Sequence, residues 1–444
     1  MRAKIAQRLL LTPRFTEHKR ARLLAAISAI LDAKPELVAL VHKDLVAGVR
    51  ADLGWGGLGA EQVLRILVIQ RVLKVTFEDL EYEINDSDNN WNFCRLGGDR
   101  LVKRSRIHAN VHKVTPETLE ILYQAVAKVG IDEEVEDLDK TRTDGTVIET
   151  NIHAPTDSSL LWDSTRRLTR LMEKCAAVFT TEFEDRRREA KRAYVAAATS
   201  ANEEERRPHY ETLVKLTKGA VADAERVADE IKKASESEHA QRLMNRLRAV
   251  VAIALDVINQ TERRVFQGKK VPSPQKVVSI FEPHTDVIVK DRKEVYFGHK
   301  VTLTTGASGL VHDCVVEDGN PADVTLAVRS VQRIKAAYGK TPRQVAFDGG
   351  YASKENLSAI KAEGVQDVAF SKGRGLKVKD MVQDPEDYPK LRNFRAGVEN
   401  GISYLKRAVG LARCAWKGLV GFRAYVFGGV LVANLLTLAR HHLG

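Results

Sequence analysis

Three acidic residues have neighbours that could turn them to chemistry. Asp348 follows the run Gln344–Phe347 and precedes Gly349 and Gly350. A strand that delivers a carboxylate into a glycine turn places it at a strand's carboxyl end, where open α/β sheets face their ligands. The same residue fits an Asx-turn aspartate that only shapes the loop. Asp144 lies between Thr143 and Gly145, ahead of the β-branched residues Thr146, Val147 and Ile148, a composition that predicts a strand. Glu399 has Arg395 four residues before it and Lys406 seven after it, so a helix carries all three on one face. An exposed ion-pair stripe has the same spacing. Hard carboxylate oxygens able to hold Mg2+, with cations beside them for phosphate, are what phosphodiester transfer requires.

The elements that must position these residues follow from the rest of the chain. Its 444 residues suggest two or three units at roughly 150 residues each. Residues 1–130 read as a helical N-terminal domain. Leu64, Leu67, Val68 and Val72 recur at helical spacing, Thr76 with Asp79 forms a capping pattern, and Thr115, Pro116 and Gly130 cap, open and stop another helix. The acidic run Asp132–Asp139 reads as a solvated linker. Residues 160–269 are rich in Ala, Arg, Glu and Lys, with apolar positions such as Leu243, Leu247, Val250 and Val251 at helical spacing, a helical insertion into a different fold. Strands are expected at Lys300–Thr304, Leu310–Val316, Gln344–Phe347 and Val368–Phe370. Helices are expected at Ala322–Tyr338, Lys354–Glu363 and from Phe394 onward. The fold class expected is α/β: a mixed sheet flanked by helices over 140–159 and 270–444, interrupted by the insertion between its first and second strands.

Composition narrows the partners. There are 70 Lys and Arg against 59 Asp and Glu, for a formal charge of +11, which favours a polyanion such as nucleic acid. Cys94, Cys175, Cys314 and Cys414 are too scattered for a zinc site or disulfide framework and fit a reducing cytoplasm. No apolar signal segment follows Met1. The most apolar run, Ala424–Ala439, covers 16 positions, fewer than the ~20 that span a bilayer, and reads as a buried helix. Ser and Cys nucleophiles have no partner arrangement, and Gly54, Gly56 and Gly57 around Trp55 precede no strand-helix unit that would make a nucleotide loop.

Four short stretches resemble the bacterial insertion-sequence transposases with an RNase H-like DDE catalytic domain. They are Thr143–Glu149; Phe297–Lys300 with Gly319–Asp323; Phe347–Tyr351; and Arg395 with Glu399 and Lys406. The last reproduces the Arg, Glu and Lys of the family's Tyr-Arg-Glu-Lys element, with Arg392 at the position expected for the Tyr. The segment Gly59–Leu96 resembles the family's N-terminal helical domain. The resemblance implies that Asp144, Asp348 and Glu399 bind two Mg2+ or Mn2+ ions, and that Arg395 and Lys406 neutralise phosphates nearby. It implies cleavage of transposon ends, 3′-hydroxyl strand transfer into target DNA, and a homodimer in a synaptic complex. The setting would be the bacterial cytoplasm, at the nucleoid and away from membranes. A silent DNA-binding repressor or domesticated protein, and a nuclease that hydrolyses without strand transfer, are the alternative readings.

Further DNA contacts are expected from Lys372, Arg374 and Arg392 near the site, and from Lys103, Arg104 and Arg106 in a basic connector. That connector suits a helix-turn-helix-like reader or the solvated face of a plain bundle. Glu149, Asp157, Asp313 and Asp323 read as surface or capping residues, and His299 and Lys300 as structural or DNA-facing.

Overall fold

The computed structural model describes residues 17–48, 57–97, 101–290 and 294–444; Gly54, Trp55 and Gly56 lie outside them. The chain divides into two units, Met1–Glu149 with His299–Gly444, and Thr150–Gly298.

The strands are β1 (Lys140–Thr150), β2 (Asp286–Lys290), β3 (Glu294–Thr305), β4 (Val311–Val316), β5 (Gln344–Phe347), β6 (Asp367–Phe370) and β7 (Arg413–Cys414). The sheet of the first unit runs β4-β3-β1-β5-β6, with β7 added to β1. β3 and β4 are antiparallel, whereas β1, β5 and β6 are parallel. It is the mixed sheet that the strand-helix alternation calls for. β5 and β6 are buried at every position, as parallel strands covered on both faces must be.

The helices of this unit begin where the caps predict. The Thr76 hydroxyl accepts from Asp79 N–H to open Phe77–Asp86, and the Thr115 hydroxyl accepts from Thr118 N–H to open Pro116–Asp132. Gly130 does not stop that second helix. It lies inside it, and a Cβ there would come within 2.4 Å of Leu310 Cδ1 and 3.0 Å of Leu438 Cδ2, so the glycine serves close packing. The acidic run is not wholly a solvated linker either. Glu136 is buried, and its carboxylate accepts from the Ser308 N–H at 2.9 Å and hydroxyl at 2.7 Å.

The apolar run near the C-terminus belongs to a 26-residue helix, Gly418–Leu443, long enough to cross a bilayer. Its position is set by burial: Val426 to Ala439 pack with the helices Lys19–Asp32, Ala60–Leu73 and Pro116–Asp132. In mid-helix, Asn434 Oδ1 accepts from Val311 N–H at 2.9 Å and its Nδ2 donates to Val311 C=O at 2.8 Å. Tyr123 treats Cys314 in the same way, its hydroxyl accepting from the N–H at 3.1 Å and facing the C=O at 3.3 Å.

The second unit is mainly helical, with Asp157–Ala176, Arg187–Thr199, Glu203–Ala234 and Glu238–Thr261 packed around Leu161, Leu168, Leu213, Ala224, Leu247 and Val257. β2 pairs antiparallel with the first part of β3, Asp286 opposite Gly298. This unit takes in more chain than the interval 160–269, at both ends.

Candidate active site

The register of the sheet brings two of the three carboxylates together. β1 and β5 are parallel with Thr143 opposite Phe347. Asp144 comes next within β1 and Asp348 directly after the carboxyl end of β5, so the two stand about one strand spacing apart. β6 continues the edge: Phe347 is opposite Phe370, so Ser371 follows beside Asp348. The Ser371 hydroxyl donates to Asp348 Oδ1 at 2.7 Å. Asp144 is therefore inside a long strand, and Asp348 stands beside it in the turn that follows β5.

The third carboxylate arrives on the helix Asp387–Ala408. The Arg142 guanidinium donates to Phe394 C=O at 2.8 Å and lies 4.6 Å from the Phe394 ring centroid, docking that helix against β1. Gly397 permits the approach, because a Cβ there would meet Arg142 Nη1 at 2.1 Å. The Tyr388 hydroxyl ties the helix start to Phe370 C=O at 2.8 Å.

So held, Arg395 meets all three acids. Its Nη1 is 3.1 Å from Asp348 Oδ1 and 3.4 Å from Asp144 Oδ2, and its Nη2 is 2.9 Å from Glu399 Oε1. The side chains are 20% exposed at Asp144, 46% at Asp348 and 68% at Glu399, so Glu399 is the least enclosed of the three. Among the described residues no three Asp, Glu, His or Cys side chains converge on one metal position as they stand. The pair Asp144 and Asp348 does converge, on Arg395 Nη1.

Electrostatics separates the two aspartates. Burial pushes Asp144 up to about 6, opposed by the Gly145 N–H and the Arg395 charge and reinforced by Asp348 and Asp323. Burial also acts upward on Asp348, but the Ser371 hydroxyl, the Gly349 and Gly350 N–H groups and Arg395 outweigh it and hold that carboxyl below the usual range. A single guanidinium is too little positive charge for this set of acids, and hard oxygens short of positive charge suit a hard divalent cation.

Asp323 is not a plain surface residue. Its carboxylate pairs with Lys300 Nζ, which also donates to Pro321 C=O at 2.7 Å. A Cβ on Gly350 would meet Asp323 Oδ2 at 2.6 Å, and one on Gly145 would meet Lys300 Cε at 3.2 Å, so two glycines open the space that the Lys300–Asp323 pair fills. His299 is structural, buried edge-on against Phe422 at 4.7 Å. Asp313 is buried and pairs with Arg333 at 2.8 Å, Glu149 pairs with Arg413 at 2.8 Å, and Asp157 is buried in the first turn of its helix with Arg264 at 3.0 Å.

A cleft of about 730 Å³ contains Asp348 and Arg395 together with Lys372, Arg392 and Ser371. Residues 276–435 match the family model of the transposase DDE domain. Over that stretch the chain is similar to DDE transposases of the insertion-sequence type. No curated protein and no solved structure matches the chain. The DDE transposase match includes Asp348, Arg395, Glu399 and Lys406, whereas Asp144 lies upstream of it and joins the others through strand register. Arg374, at a φ of 44°, is exposed beyond the cleft, and Lys406 sits about two turns past Glu399 on the same helix. Lys103 and Arg104 pair with Glu81 at 3.7 Å and Glu78 at 2.8 Å, and Arg106 lies on the same short helix, Arg104–Val111.

Sequence reasoning missed Ser371, Lys300 and Asp323 as site neighbours. Ser371 was accessible in principle, since it follows β6 as Asp348 follows β5. The Lys300–Asp323 pair had no spacing signal, because a strand and a loop 23 residues apart meet only through the fold.

Proposed function

We propose that this protein is a cut-and-paste DNA transposase whose catalytic carboxylates are Asp144, Asp348 and Glu399, on an RNase H-like sheet with residues 140–159 and 270–444 as the catalytic domain. The 160–269 segment is a helical insertion between the strand bearing Asp144 and those that follow, and residues 1–130 form a DNA-binding helical domain. The observation that carries the reading is the meeting of all three acids on one guanidinium, that of Arg395.

Asp144, Asp348 and Glu399 would hold Mg2+ or Mn2+, two ions. Ions held there would supply Lewis-acid activation of an attacking oxygen and charge for a leaving oxygen in an in-line phosphoryl transfer. Arg395 neutralises the acids in the absence of metal and turns to a DNA phosphate when they are otherwise compensated. Lys372 and Arg392 line the cleft beside Asp348 and bind the phosphates flanking the scissile bond, with Arg374 and Lys406 further along the backbone. Ser371 keeps Asp348 ionised and oriented. In the first step water attacks the phosphodiester at the transposon end and frees its 3′-hydroxyl; in the second that hydroxyl attacks a target phosphodiester and displaces the target strand's 3′-oxygen. Two terminal inverted repeats have to be held together for this, hence a homodimer in a synaptic complex at the bacterial nucleoid.

The test is Mg2+-dependent cleavage of duplex DNA carrying the element's ends, with Asp348→Asn, Asp144→Asn and Glu399→Gln beside wild type. Each variant should lose cleavage by at least about 100-fold while still binding the duplex. Equal cleavage by any of them removes that residue from the site. Cleavage without joining to a second duplex would favour a hydrolytic nuclease.

A further inference from the structure

The helix Ala60–Leu73 buries two arginines, Arg65 and Arg71, and treats them differently. Arg65 is supplied with two carboxylates, Glu61 at 3.1 Å and Asp32 at 2.8 Å, and with the Ser28 hydroxyl at 2.8 Å. Arg71 is 4% exposed and pairs with no carboxylate among the described residues. Its guanidinium lies 3.4 Å from the Tyr425 ring centroid and 5.3 Å from that of Trp416, and it donates to Tyr425 C=O at 3.0 Å. Its Nε has no partner, and neither has the buried side-chain oxygen of neighbouring Gln70. An arginine keeps its charge in a protein interior, and a buried charge without a counter-ion is among the costliest arrangements a fold can hold. Two aromatic faces and one carbonyl offset part of that cost, and a full negative charge is still missing.

A pocket supplies the room for it. Arg71 and Gln70 line a cavity of about 300 Å³ together with Lys74, Phe77 and Trp416. Lys74 adds a second cation, held by its Nζ donating to Arg407 C=O at 3.3 Å. His112, stacked 4.3 Å from Trp416, is pushed down to about 4, first by burial and then by His108 and Arg71.

We infer that this pocket binds a phosphate-class oxyanion, with Arg71 as the buried charged donor and Lys74 as the cation at its rim. The anion comes either from the DNA backbone or from a free phosphate. The pocket is built from residues 70–77 and 409–425 and shares no residue with the carboxylate site, so the inference holds or fails independently of the proposed catalysis.

The test follows thermal unfolding of the full chain in millimolar inorganic phosphate against chloride at equal ionic strength, because high phosphate stabilises proteins non-specifically. Phosphate should raise the wild-type transition by a few degrees and leave that of Arg71→Met unmoved. Arg71→Met should also be at least as stable as wild type in chloride, having lost an uncompensated charge. Should Arg71→Met fail to fold, Lys74→Ala, a change at the rim, should weaken phosphate binding in calorimetry by about tenfold. A duplex that abolishes the phosphate effect assigns the site to the DNA backbone; a phosphate effect indifferent to duplex assigns it to a free phosphate. Equal stabilisation of wild type and Arg71→Met, or no wild-type response to either probe, overturns the inference.

Discussion

Replacing Asp144 with Asn should stabilise the metal-free protein, and increasingly so as the pH rises. The Asp144 carboxyl keeps its proton in the fold up to about 6 against an ordinary 3.8, so between those values the folded state binds the proton more tightly than the unfolded chain. Its contribution to stability is complete below about 3.8 and is lost as the pH passes through about 6. Two pKa units correspond to about 3 kcal/mol. The first unit, roughly 300 residues, has an unfolding entropy of about 0.6 kcal/mol per kelvin, so the effect amounts to a shift of about 5 °C. Asn keeps an oxygen for the Gly145 N–H, which donates to Asp144 Oδ1 at 2.7 Å, and presents an N–H group to Arg395. That second cost is independent of pH and cancels when melting temperatures at pH 4 and pH 8 are compared in the presence of a chelator. Scanning calorimetry should show the offset of Asp144→Asn from wild type growing by about 5 °C between pH 4 and pH 8. An offset that is the same at both pH values would refute the claim that Asp144 is held ionised at a cost by burial and by its acidic neighbours.

Arg395→Ala removes the cation shared by the three acids, so added Mg2+ should raise its melting temperature more than that of wild type, read by thermal shift in Mg2+ and in chelator. Glu136 is drawn down to about 2: burial acts upward on it, but the His312 imidazole 3.8 Å away and the two bonds from Ser308 outweigh that. Its stabilisation is therefore present above about 4.5 and is lost as the pH falls through about 2. Glu136→Gln should cost about 3 kcal/mol at pH 7, with the gap to wild type closing in acid denaturation. Gly130→Ala should lower stability by about 1–3 kcal/mol through overpacking against Leu310 and Leu438, despite the better helix propensity of alanine. Asn434→Leu leaves the buried Val311 N–H and C=O unpaired and should cost about 2–4 kcal/mol in denaturant unfolding.

Much of this arrangement was legible in local sequence. The strand ending at Phe347 and the glycine turn after it announce Asp348, and the 395–399–406 spacing announces a helix face, because both signals are contained in one element. The capping residues Thr76 and Thr115 were readable for the same reason. What escaped depends on partners distant in the chain. Gly130 resembles a helix stop until Leu310 and Leu438 are seen packed over it. Glu136 resembles a solvated acid until Ser308 reaches it. Asp323 closes one of the stretches that carry the resemblance but reads locally as a surface or capping aspartate, and only the two glycines facing it reveal that space was kept for its pair with Lys300. Arg71 is likewise one arginine among many until its surroundings are found to contain no acid.

β4 ends the sheet, and its free side is occupied by side chains rather than by another strand. Asn434 satisfies both backbone groups of Val311 and the Tyr123 hydroxyl those of Cys314, while the Tyr338 hydroxyl donates to His312 C=O at 2.9 Å. An uncovered border of this kind is a template on which a second chain can template itself by main-chain bonding. Here the template is already taken, and by residues projecting from helices that cannot slide in register as a strand can. Any pairing of two copies is thereby directed to surfaces other than this border, and the chain can reach high local concentration without zipping up sheet to sheet.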